Sequence, residues 1–346
     1  MIRKPVSLIL ILFALCCAGC KQEWEKELIE GVSLYKAGKQ EEALGHLEKS
    51  VLLTCSSGQI RGDRFDWNGN CLYTYLGKQL HIFQPISLTL TLPPDFDMLS
   101  FEPVSRRLTV TNGQYAEIMD EKGVHLKTAP LSEDKKKPVR GVIMIDDVII
   151  YLKEGLLYQY RLLSDSHEPY IKGEKFPPPF SKENYKAYFQ MTENHLAINV
   201  GRYGSYNLYL IDRKTRKVQM KNKKTASFKY LLGKADILYV SGSAGKWSIR
   251  QMTLSTKAER MLTQIDDLTD LELFTDTTVW ENKKGVWMAP HERKIPFKLP
   301  FPWKLAGKYR DRLILNTGDT SHYCRTGALI ETLQRLSVEI PSLFKK

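Results

Sequence analysis

Leu72-Tyr73-Thr74-Tyr75-Leu76-Gly77 is a short β-prone run that ends on a turn glycine, and the chain repeats the pattern six more times. The later runs are Leu108–Thr111, Val148–Leu152, Leu196–Val200, Ile237–Val240, Val279–Glu281 and Leu313–Asn316, closed by Gly113, Gly155, Gly204, Gly245, Gly285 and Gly318. β-Branched and aromatic residues suit a pleated, buried surface, and a glycine behind them marks a tight return into a second strand. Successive glycines stand 36, 42, 49, 41, 40 and 33 residues apart. That is the pitch of a four-stranded blade, a unit that hides its faces only against its neighbours. The expectation is a mainly β chain: a seven-bladed β-propeller over residues 63–336, preceded by a short αα-hairpin.

Upstream of the array, Arg3 and Lys4 precede an apolar run from Val6 to Ala18 that is too short to span a bilayer. The run ends in Cys17-Ala18-Gly19-Cys20, small residues directly before a cysteine. This resembles the lipobox of bacterial lipoproteins, although Cys17 stands where that pattern prefers leucine. The resemblance implies a signal peptide over 1–19, a lipid-carrying N-terminus at Cys20 with a short stub over 20–22, and a membrane held through that lipid. Lys21 follows the cysteine. Well-studied Gram-negative lipoproteins kept at the inner membrane carry aspartate there, so the resemblance implies the outer membrane.

Residues 23–54 read as two helices. Leu28, Val32 and Tyr35 share one face of the first, and Ala43 or Leu44, Leu47 and Val51 share one face of the second. Ala37-Gly38-Lys39-Gln40 breaks them. Gly31, Gly38, Ala43 and Leu47 fall where a tetratricopeptide repeat places its crossing, turn and packing residues, so the hairpin resembles one such repeat. A single hairpin cannot bury both of its faces. Packing on the propeller is the simplest expectation, ahead of a second copy or a partner. A polar linker over 55–62 follows, and Arg61-Gly62-Asp63 is read as a turn rather than a recognition tripeptide.

Within the array, Leu208-Tyr209-Leu210-Ile211-Asp212-Arg213-Lys214-Thr215-Arg216-Lys217-Val218 resembles the outer hairpin of pyrroloquinoline-quinone-type propeller repeats, with Arg216 in place of a glycine. The tryptophan that closes each such repeat is missing, so no cofactor is carried over. With the lipobox, the architecture resembles a propeller lipoprotein of outer-membrane assembly. Two longer connections interrupt the blades: charged Ser132–Pro138, and Pro177-Pro178-Pro179, which cannot join a strand ladder. Residues 337–346 read as a C-terminal tail.

Apolar residues make up 42% of the chain and charged ones 26%, as in folded proteins, and the net charge of +12 favours anionic partners. The basic residues concentrate in Arg213, Lys214, Arg216, Lys217, Lys221, Lys223 and Lys224, with Lys229 behind them and no acid in Arg213–Lys229. Such a strip either binds an anionic glycan or is a solvated outer edge whose lysines deter pairing between molecules, the favoured reading. Nucleic acid is not an expected partner of an exported chain. Ser241–Trp247 looks like a phosphate loop but joins two strands, and neither an HExxH nor a GxSxG stretch occurs. No catalytic residue, metal or cofactor is therefore assigned. Beyond the anchor, Cys55, Cys71 and Cys324 leave one thiol over, with Cys55–Cys71 and Cys71–Cys324 both open as pairs. The functional expectation is a non-catalytic envelope scaffold for unidentified protein partners. The alternative is a propeller that binds or hydrolyses a glycan or peptide at its central channel.

Overall fold

The computed structural model describes residues 23–58, 64–65, 70–76, 79–92, 96, 98–177, 185–202, 204–243, 245–292, 296–318 and 320–344. Cys20, Arg61-Gly62-Asp63, Gly77, Pro178 and Pro179 lie outside them. Among the described residues the strands form seven four-stranded antiparallel sheets. Six follow chain order, over residues 64–91, 98–130, 142–169, 186–225, 230–265 and 270–298. The seventh takes Lys304–Tyr309, Arg312–Thr317 and Thr320–Arg325 and adds Ser56–Gly58 as its outer strand, antiparallel to Thr320–Arg325. First strands lie side by side between blades two and three, three and four, four and five, six and seven, and seven and one. The chain is a seven-bladed β-propeller, and its N-terminal strand closes the ring.

Each expected run is the second strand of its blade. That strand has a partner on either side and a neighbouring blade on either face, so both faces are apolar. In blade four Leu196, Ala197, Ile198, Asn199 and Val200 are all buried. Asn199, the polar member, donates to the Ser227 carbonyl at 2.9 Å and accepts from Thr225 Oγ1 at 3.2 Å, which makes its burial tolerable.

The hairpin consists of helix α1 (23–36) and helix α2 (Gln40–Leu52). A methyl on Gly31 would sit 2.7 Å from the Leu47 side chain and 3.1 Å from its backbone nitrogen, so glycine lets the two helices cross this closely. Val32, Leu47 and Val51 enter one apolar cluster with Val279, Met288 and Leu299 of blade six and Leu313 and Leu315 of blade seven. The hairpin therefore packs on the propeller. Each such aliphatic side chain contributes about 1.5–3 kcal/mol on burial.

Three boundaries move. Residues 337–346, expected as a tail, belong mostly to helix α3 (Thr326–Glu339) and a 3-10 turn, Pro341–Phe344. Leu329, Leu333, Leu336 and Ile340 complete the same cluster, so α3 covers the face that a lone hairpin leaves bare. The propeller strands end at Arg325 rather than 336, and Ser56–Gly58 inside the expected linker is a strand. The cysteines join as Cys55–Cys324, with Cα atoms 4.4 Å apart, which is neither pair left open by sequence. Ring closure is the reason: Cys55 precedes the closing strand and Cys324 lies on its partner. Cys71 is a buried thiol in blade one.

Candidate functional site

A propeller offers its axis and its two faces. In these blades the turns between second and third strands lie at the same end as the connections to the next blade, and that end is called upper here. Gly113, Gly155, Gly204, Gly245, Gly285 and Gly318 make those turns, each with φ between 58° and 126°.

At the lower end the first strands of blades two to five surround a cavity of about 330 Å³. Ser100, Glu102, Met144, Gln190 and Leu232 are among its walls. Glu102 and Gln190 are bonded within the protein. The Glu102 carboxylate accepts from the Val104 amide at 3.1 Å and Ser105 Oγ at 2.6 Å. Gln190 donates to the Tyr230 carbonyl at 3.0 Å and accepts from the Leu232 amide at 2.6 Å. This lining is stitched between blades rather than directed at a ligand.

The upper end is more polar. Lys229 precedes the first strand of blade five and places its ammonium 2.8 Å from Asp270 and 2.7 Å from Glu272, on the first strand of blade six. Burial pushes its pKa down, but the two carboxylates push it up by more, so it ends above the ordinary lysine value. Beside it, Tyr188 stacks on Phe228 with centroids 4.7 Å apart, and Tyr206 meets both rings edge-on. A half-buried cation and an aromatic cluster thus sit at the seam of blades four, five and six.

The basic strip is divided by the structure. It forms the third-to-fourth strand turn and the outer strand, Val218–Thr225, of blade four. Arg213 donates to the Thr192 and Glu193 carbonyls at 2.8 and 3.0 Å. Lys221 pairs with Glu174 at 2.6 Å, Lys223 with Glu259, and Arg216 lies 5.0 Å over the Tyr170 ring. Lys214, Lys217 and Lys224 are exposed. Alternation breaks at Asn222, whose φ is 55°, so Lys221 meets an acid between blades three and four while Lys223 meets one of blade five.

The turn within this strip is held by its aspartate. Asp212 accepts from the Thr215 amide at 2.7 Å and hydroxyl at 2.8 Å, which lowers its pKa. Arg216, in the glycine position, has a φ of 56°. Ser241–Trp247 is a hairpin tip between Asp236–Ser243 and Lys246–Thr253, as its flanking strands imply.

Described residues of the two long connections come together above blades three and four, which spacing along the chain did not reveal. Lys136, Lys137, Arg140, Glu154, Lys175 and Tyr185 line a cleft of about 390 Å³ there. Among the described residues no group of three or more His, Cys, Asp or Glu side chains is placed to hold a metal. Nor is any described helix long and apolar enough to cross a membrane.

Solved propellers share this architecture at low identity. The Dos1 propeller aligns with a TM-score of 0.49 and 12% identity, over 73% of this chain and 75% of that one. Kluyveromyces lactis Hsv2p aligns at 0.45 and 10%, over 73% and 88%. An oligogalacturonate lyase in complex with manganese aligns at 0.48 and 10%, over 80% and 92%. At such identities the likeness concerns fold alone. No family model and no curated protein matches the chain.

Proposed function

We propose that this chain is an exported, lipid-anchored protein of the bacterial outer membrane whose propeller is a non-catalytic platform for envelope protein partners. The observation that carries the reading is the Cys55–Cys324 bond. Structural disulfides belong to oxidising compartments outside the cytoplasm. This one fastens the strand after the hairpin to the last blade, while the hairpin shares a core with blades six and seven. An acyl anchor at Cys20, three residues before α1, then holds hairpin and ring as one body. A rigid body presents loops without an ordering cost on binding, which suits recognition by several partners. The channel reading has less support, because Glu102 and Gln190 of the lower cavity are bonded within the protein.

Mass spectrometry of the envelope-purified chain tests the anchor, with diacyl- or triacyl-cysteine at Cys20 expected as the mature N-terminus. In vivo cross-linking followed by affinity purification tests the platform, and the same envelope proteins are expected in repeated captures. A cytoplasmic chain with a free Met1 and reduced Cys55 would sink the anchored reading. An anchored chain that captures nothing would sink the platform alone.

A further inference from the structure

We infer that the cleft above blades three and four is a binding site for a phosphate group on a small molecule. Four cations face it, Lys136, Lys137, Arg140 and Lys175, against one carboxylate, Glu154. Lys137 Nζ lies 2.9 Å from that carboxylate. Among the described lining residues the charge balance is therefore three positive. The cations come from two chain segments, 136–140 and 175, which the ring brings to one cleft.

Charge alone would describe any solvated surface; the framing of these charges is what differs. The Arg140 amide donates to the Leu152 carbonyl of blade three at 2.9 Å, and its own carbonyl accepts from the Ala187 amide of blade four at 2.7 Å. Its backbone is thus fixed to both blades. Its guanidinium lies 5.4 Å over the ring of Tyr185, itself only 6% exposed. A guanidinium held over an aromatic ring has already lost part of its rotamer freedom.

The opposite wall is equally fixed. The Phe176 amide donates to the Gly155 carbonyl at 2.7 Å, and the Phe176 ring packs edge-on against Tyr209 at 4.9 Å. This sets where Lys175 and Pro177 stand on the rim. The result is a preformed hollow with one planar two-pronged donor, three mobile point charges and apolar walls from Pro138, Pro177 and Tyr185. Its size matches a small ligand rather than a polymer strand. A phosphate monoester, with two negative charges and three terminal oxygens, uses such a donor set more fully than a single carboxylate. The organic part of the ester would lie on the apolar walls. The inference is independent of the platform reading.

Equilibrium dialysis of the detergent-solubilised full chain at low salt tests it, with inorganic phosphate, glycerol 3-phosphate and a short-chain phosphatidic acid as probes. Saturable, salt-sensitive binding of glycerol 3-phosphate is expected. Arg140→Lys, which keeps the charge and loses the fork, should weaken it by about tenfold. Glu154→Gln removes the competing carboxylate and frees Lys137, so affinity should rise several-fold, a gain that misfolding cannot imitate. Preference for phosphatidic acid with the same two variant effects would uphold the phosphate site and assign it to a lipid headgroup. Absence of saturable binding to all three probes would overturn the inference. So would binding that is indifferent to both substitutions.

Discussion

Two glycines show how differently one residue type can be required. A methyl on Gly141 would lie 2.1 Å from the Ala187 carbonyl oxygen, and that oxygen belongs to a strand that cannot retreat. Gly38 has open space around it but a φ of 81°, so its requirement is conformational. Gly38→Ala should therefore cost about 1 kcal/mol, whereas Gly141→Ala should cost about 3 kcal/mol through the displaced backbone. Chemical denaturation of both variants checks the order; equal losses would mean that blades three and four are not seated this closely. Lys229 makes a second prediction at this scale. Its folded pKa lies above the unfolded one, so its contribution is complete below the unfolded value of about 10.4 and disappears as pH rises through the folded value. Buried tyrosines such as Tyr209, pushed up to about 12 by burial, lose stability over the same range. The contribution of Lys229 is thus the difference between wild type and Lys229→Met. That variant should be about 3 kcal/mol less stable at neutral pH, because Glu272 is left buried without its cation. Its deficit should shrink above pH ~10. A constant deficit across that range would place the loss in packing rather than charge.

At the level of the element, the closing strand Ser56–Gly58 depends on its neighbours for everything. It is three residues long, contains two serines and a glycine, and has little apolar area of its own. The bond from Cys55 to Cys324 closes a loop with a sequence separation of 269 residues. In the chain-entropy model a loop of that length is worth about 5 kcal/mol at most. Cys55→Ser should lower the thermal midpoint by several degrees, and reductant should do the same to wild type while leaving the variant unchanged. Non-reducing peptide mapping should recover the 55–324 linked pair, with Cys71 alkylated only after unfolding. A linked pair that includes Cys71 would refute the closure described here. This element also marks the limit of what the amino-acid pattern discloses. Second strands are legible because burial on both faces forces an apolar run and the following turn forces a glycine. Outer strands are not: Ser166–Pro169 and Leu88–Thr91 alternate between half-buried and exposed residues and look like loop. Ser56-Ser57-Gly58 carries no apolar signal, so the linker, the disulfide and the source of the seventh blade's fourth strand all stayed hidden together. α3 was legible but missed: Leu329, Leu333 and Leu336 stand at helical spacing, yet no break separates them from the β-rich stretch before Thr326.

For the molecule as a whole, ring closure turns a row of blades into a body whose two chain ends share one core. The contiguous charge of Arg213–Lys229 is divided, because Lys221 and Lys223 meet acids on opposite sides of blade four. Charge dispersed in sequence converges instead, since the ring brings 136–140, 154–155 and 175–185 to one cleft. Closure also decides how damage should spread. Each blade touches mainly the blades beside it, so stability is close to a sum of blade and neighbour terms. Breaking the closure removes one junction and leaves the others in place. In Cys55→Ser, hydrogen exchange should accelerate in 56–58 and 320–325, and less in blades six and one. The second strands of blades three to five, far from the closure, should keep the protection they have in wild type. Uniform acceleration around all seven blades would show instead that the toroid opens as one cooperative unit, with the hairpin, α3 and the disulfide acting as its single latch.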